Sequence, residues 1–183
     1  SIVSKHLIFS FQPTERIFSH KLYVFPFDRP SPFATLQSRL HSVWTWLLSS
    51  TMKNDLNYSA SDCFETFPFP KCDPRADIPA LEECGRRLYD CRATYMAEES
   101  VGLTVTYNRL KDPECDDARI LELRRLHEEM DRKVLEAYAE ADPQGGWLEV
   151  EVPPFCPMND AEKKKLEVFE SAVIDRLFVL NAK

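Results

Sequence analysis

The chain has 183 residues and a mass of 21.2 kDa, enough for one ordinary domain or two small ones. Hydrophobic residues make up 44% and charged residues 29%, so the chain can bury a core, and no run of roughly 18 uncharged apolar residues is present to span a membrane. The net charge of −7 is unevenly spread: residues 1–71 hold seven Lys/Arg against five Asp/Glu, whereas residues 72–183 hold sixteen against twenty-five. A polyanion is repelled by the second part as a whole and tolerated by the first.

The first six residues, Ser1 to His6, lack the charged and apolar regions of a signal peptide, and the missing Met points to a piece of a longer, cytoplasmic protein. Leu7–Phe11 and Leu22–Phe25 are short, aromatic and β-branched, and they predict strands separated by a turn at Pro13-Thr14. Asp28-Arg29-Pro30-Ser31-Pro32 ends the second strand, with Ser31 as the expected N-cap and Pro32 as the first helical residue. From Phe33 to Leu48 the apolar residues Phe33, Leu36, Leu40, Val43, Trp44 and Leu47 recur at helical spacing.

Residues 49–70 read as a loop, and the composition changes at its end. Beyond it the chain is helical. Asp77 and Pro79 open a helix to about Glu99, with Leu81, Cys84, Leu88, Cys91 and Tyr95 inward. A second helix runs from about Asp116 to Glu140 on the stripe Ile120, Leu123, Leu126, Met130, Val134 and Tyr138. Residues 142–155 form an irregular segment or short hairpin through Gly145-Gly146, with Trp147–Val150 extended, and a last helix spans roughly Asp160–Asn181. The resulting expectation is an α+β, mainly α chain: a short β segment plus about four helices, the last three forming a helical C-terminal domain. Its division is 1–70 and 71–183.

Four glycines (Gly85, Gly102, Gly145 and Gly146) leave no room for a Walker loop or a dinucleotide-binding turn. Six cysteines have no Cys-x-x-Cys spacing and read as reduced structural thiols, and no metal ligand set is evident. His41 and His127 have no triad partners and read as surface or satisfied core histidines. Glu162-Lys163-Lys164 matches half of a nuclease motif but falls on a helix, and Val152-Pro153-Pro154-Phe155 has valine where an amino-methyltransferase motif needs a polar residue. Glu128, Glu129, Arg124 and Arg125 read as a solvated helix face with i,i+4 pairs. No catalytic or cofactor-binding residue is assigned.

The polar residues of the 49–70 loop are a candidate for chemistry. A Lys-x-Asp pair such as Lys53 and Asp55 can read both edges of a G·C pair, because lysine donates to guanine O6 and N7 and aspartate accepts from cytosine N4. Asn57, Ser59 and Ser61 can hold phosphates through neutral hydrogen bonds. An ordinary solvated loop is the other reading of the same residues.

At this loop the sequence resembles a known family. Phe33–His41 with Trp44, and the run Asn57-Tyr58-Ser59-Ala60-Ser61-Asp62-Cys63-Phe64-Glu65-Thr66-Phe67-Pro68-Phe69-Pro70, are similar to the C-terminal part of single-chain type II restriction–modification enzymes. These are the MmeI-like types IIG and IIL and their DNA adenine methyltransferase relatives. Leu81–Tyr89, Gly102–Arg109, Leu126–Asp131 and Asp175–Asn181 agree, whereas Val105 and residues 142–158 depart from the pattern. The resemblance implies the end of a target-recognition domain, to about Pro70, followed by a helical domain. The parent then carries an S-adenosylmethionine-dependent methyltransferase upstream, with Mg only if it also bears a nuclease. Family members often show Glu-x-Arg or Lys-x-Asp before the Tyr-Ser element, which places Lys53-Asn54-Asp55 as a base reader. Phe64, Phe67 and Phe69 are expected to lock the loop onto the core. Double-stranded DNA and the methyltransferase domain of the same chain are the implied partners, with no cofactor in this part and no membrane. The competing expectation is a helical docking domain with no DNA contact of its own.

Overall fold

The computed structural model describes residues 3–52 and 55–182. Six α-helices carry the fold: α1 (Pro30–Gln37), α2 (Arg39–Leu48), α3 (Pro79–Glu98), α4 (Leu103–Leu110), α5 (Ala118–Ala141) and α6 (Asp160–Asn181). Among the described residues, sheet is confined to β1 (Val3–Ser4), β2 (Ser50–Met52) and β3 (Asp55–Asn57), antiparallel in the order β1-β3-β2. The expected α+β class with about four helices is therefore incorrect: the molecule is mostly α-helical.

Each difference has a physical cause. Leu7–Phe11 forms no strand because side chains satisfy its backbone. The Phe9 N–H donates to Gln37 Oε1 at 2.9 Å, Gln37 Nε2 donates to the Leu7 carbonyl at 3.3 Å, and Arg92 donates to the Phe9 carbonyl at 2.8 Å. Leu22–Phe25 also stays irregular, with Phe25 packed among Phe9, Tyr58 and Phe64. The single helix expected over Phe33–Leu48 is cut at Ser38, whose backbone is extended (φ −66°, ψ 158°). Its hydroxyl donates to the Thr35 carbonyl at 2.7 Å and accepts from the His41 N–H at 3.4 Å, closing α1 and opening α2.

α1 starts at Pro30, and Glu82 of α3 accepts the free Ser31 N–H at 2.9 Å, so a distant carboxylate replaces the expected serine cap. α3 opens with Ile78 at the cap position and Pro79 inside; the Asp77 side chain makes no cap bond. The extended segment expected at Trp147–Val150 is a 3-10 turn over Trp147–Glu149, behind Gly146 in the left-handed region at φ 65°. Trp147 stacks on Tyr138 with ring centroids 4.4 Å apart. α4 has no counterpart in the sequence reading.

α1 packs on α3, α3 on α5, α4 on α5, and α2 on α6. One apolar core runs from Phe33, Leu40, Trp44 and Phe67 through Leu81, Leu88 and Tyr95 to Met130, Tyr138 and Val173. It is continuous on both sides of Pro70. The α1–α3 contact needs Gly85: a Cβ there would stand 2.5 Å from the Pro30 carbonyl oxygen and 3.1 Å from Ala34 Cβ. No helix among the described residues is long and apolar enough to cross a membrane.

Candidate nucleic-acid interface

Residues 49–70, expected as a loop, form a strand pair followed by a single π-type turn over Ala60–Phe64. In β2 and β3, Ser50 lies opposite Asn57, Thr51 opposite Leu56, and Met52 opposite Asp55. Lys53 and Asn54 fall between Met52 and Asp55 in the chain; the Lys53 assignment lies outside the described residues.

Strand alternation sorts the remaining candidates. Leu56 and Tyr58 are buried with Cys63 in a second apolar cluster against Leu7, Phe9, Phe25 and Phe64. Asp55, Asn57 and Ser59 alternate with them and are only half-buried. Ser59 caps the following turn, accepting the Asp62 N–H at 3.4 Å, and its hydroxyl is 3.0 Å from that of the exposed Ser61. The fold thus sets Asp55, Asn57 and Ser59 at alternate positions and couples Ser59 to Ser61.

This element is firmly anchored. Phe67 is buried against His41 at 4.8 Å and Phe69 at 5.1 Å, and Phe64 contacts Phe69 at 5.6 Å, so all three phenylalanines hold the segment. Trp44 Nε1 donates to Thr66 Oγ1 at 3.1 Å, the Thr66 hydroxyl donates to the Asp62 carbonyl, and Tyr138 donates to the Pro68 carbonyl at 2.7 Å. His41 lies fully buried beneath, with Nδ1 2.9 Å from the Leu36 carbonyl and Nε2 3.4 Å from the Tyr58 hydroxyl. Desolvation lowers its pKa to about 4, which keeps it neutral, and burial pushes the Tyr58 phenol up. His127 is likewise buried, with Nε2 3.2 Å from the Tyr107 hydroxyl. Both are core histidines.

The sequence reading missed the buried charged residues that brace the fold around this element. Arg39 gives its backbone N–H and Nε to Asp131 and its two terminal nitrogens to the carbonyls of Pro154 and Pro153. Those bonds explain the Val-Pro-Pro-Phe segment as a structural acceptor. Arg92, only 2% exposed, faces no carboxylate among the described residues; it bonds the Phe9 carbonyl and the Tyr107 hydroxyl and lies over the rings of Phe33 and Tyr89. Arg124, expected on a solvated face, is buried and donates to the carbonyls of Arg109, Leu110 and Asp112. A cleft of about 700 Å³ opens between α2 and α6 near Trp46, Leu47 and Ile174; of the polar residues that line it, Arg39, Tyr107 and His127 are engaged within the protein.

Residues 2–71, which include the hairpin and the turn, match the family model described as MmeI, target recognition domain. A curated relative is DNA methyltransferase A of Bacillus subtilis (strain 168), 30% identical over 124 residues. The match covers 68% of this chain but 13% of that protein, so the chain spans about an eighth of its relative's length. No solved structure is a significant match.

Proposed function

We propose that this chain is a DNA sequence-recognition element of a restriction–modification protein, in which the β2–β3 hairpin reads a G·C pair from the major groove. Lys53 donates to guanine and Asp55 accepts from cytosine N4, while Asn57, Ser59 and Ser61 hold phosphate oxygens. The observation that supports the reading is the register: Asp55, half-buried, pairs with Met52 at the start of β3, on a segment matched to a target recognition domain. Helices α3 to α6 brace the hairpin and dock it to a methyltransferase domain of the same chain, as the DNA methyltransferase relative suggests.

The 183 residues are themselves non-catalytic in this reading. The Val152-Pro153-Pro154-Phe155 run does not fit a methyl-transfer site: Val152 has no polar side chain to hold a target amine, and the neighbouring proline carbonyls are bound by Arg39. The division of labour is residues 1–70 for recognition and 71–183 for support. The test is the exchange Lys53→Glu with Asp55→Arg in the longer protein, read by mapping modified adenines across a methylation-free host genome. The expected result is a changed preference at one base pair of the modified motif. An unchanged motif at full activity overturns the assignment.

A further inference from the structure

The hairpin carries the wrong charge to hold DNA by itself. Residues 50–66 contain one cation, Lys53, against Asp55, Asp62 and Glu65, and Asp62 and Glu65 are exposed. Affinity for a duplex comes mainly from cations on phosphates, so another element must supply them.

Many of the molecule's cations are already committed. Arg86, Arg87, Arg109, Arg119, Arg125, Arg132, Lys133, Lys163, Lys165 and Arg176 all lie within 4.0 Å of a carboxylate. Arg16 and Lys21 are different. Among the described residues, the exposed Arg16 side chain bonds only the neutral Gln12 Oε1, at 2.9 Å, and the exposed Lys21 ammonium has no partner. Between residues 12 and 24 the one acid is Glu15.

The same loop leaves apolar side chains exposed. Ile17 is wholly exposed, and Leu22, Tyr23 and Val24 are 42%, 42% and 61% exposed. It also stands beside the hairpin: the Tyr23 ring contacts Tyr58 at 5.7 Å, and Phe25 contacts both Tyr58 and Phe64. Uncommitted cations flanking an exposed branched apolar side chain match a surface that closes on nucleic acid, where cations take phosphates and apolar groups press on sugars and base steps.

We infer that residues 12–24 are a backbone clamp for duplex DNA, with Arg16 and Lys21 on phosphates and Ile17 against the groove beside the hairpin. This rests on the hairpin's role as a DNA reader. The clamp supplies affinity and the hairpin supplies sequence preference, so the two are separable by experiment.

Binding of the full 183-residue chain to a fluorescein-labelled duplex, followed by anisotropy from ~20 to ~200 mM salt, tests it. Each lost phosphate contact lowers the log–log salt slope by about 0.9, so Arg16→Gln with Lys21→Gln reduces it by roughly 2 and weakens binding at low salt about tenfold. Ile17→Ser weakens binding severalfold and leaves the slope unchanged. The control Arg75→Gln with Lys164→Gln removes the same charge from two other exposed, carboxylate-free cations and leaves the slope as in the parent chain. A slope and affinity for the Arg16/Lys21 variant equal to those of the control overturn the clamp alone. Absence of any binding by the unaltered chain at ~20 mM salt overturns the clamp together with the hairpin reading.

Discussion

Arg39 Nε and Asp131 Oδ2 meet at 2.6 Å across 92 residues of sequence, joining the start of α2 to the middle of α5. The Asp131 side chain is 1% exposed and that of Arg39 12%, and Arg39 also lies over the rings of Phe155 and Phe169 at 5.6 and 5.2 Å. Burial raises the Asp131 carboxyl above its usual range, and Arg39 pulls the other way. This pair therefore ties the recognition segment to the helical support. Arg39→Met, which strands the carboxylate, is expected to cost about 3–5 kcal/mol in urea unfolding. Adding Asp131→Leu to that variant recovers part of the loss, because the uncompensated charge is removed. Additive costs would contradict the coupling.

Gly85 sets how closely α1 approaches α3. Gly85→Ala places a methyl group against the Pro30 carbonyl oxygen, 2.5 Å from the undistorted Cβ position. The expected loss is about 1–3 kcal/mol, although alanine is the better helix former. A thermal midpoint equal to or above that of the parent chain would show that the two helices can separate freely.

Much of the helical part was readable from spacing. The stripe Ile120, Leu123, Leu126, Met130, Val134 and Tyr138 is buried throughout. The bracing charges were readable in principle too: Arg124, His127 and Asp131 fall at helical spacing among those apolar positions, a phase where charge is costly unless partnered. Their partners were not readable, because Arg39 and the carbonyls of residues 109, 110 and 112 are distant in sequence or belong to the backbone. Leu7–Phe11 misled for the same reason, since a glutamine and an arginine from two helices replaced the expected neighbouring strand. In the candidate site, residue types and family resemblance marked the polar positions, but the two-face sorting of Asp55, Asn57 and Ser59 needed the β2–β3 register.

Arg92 holds the Phe9 carbonyl and the Tyr107 hydroxyl from within the core. Arg92→Met leaves both without this donor and should cost about 1–3 kcal/mol. Amide exchange should accelerate over residues 7–11 before it does in α5. Uniform acceleration throughout the chain would indicate that Arg92 supports the core generally and not that segment.

Acid should weaken the fold through its buried histidines. His41 titrates near 6.5 when unfolded and at about 4 when folded, so the unfolded chain takes up the proton first. The contribution is complete above pH 6.5 and is lost as pH falls toward 4, on the order of 3 kcal/mol for His41, with His127 acting in the same direction. Asp131, raised in the fold, acts in the opposite direction at the acid end. Urea midpoints at about pH 7 and about pH 5 should therefore differ more for the parent chain than for His41→Gln. Equal differences would remove His41 from the account.

Base-pair selection by the β2–β3 hairpin is best examined by letting the 183-residue chain choose from a pool of randomised duplexes. The expected result is an enriched G·C pair that moves to a different base pair in the Lys53→Glu, Asp55→Arg variant, with the remaining enriched positions unchanged. The same enriched sequence from both proteins, or no enrichment by a folded parent chain, would contradict it.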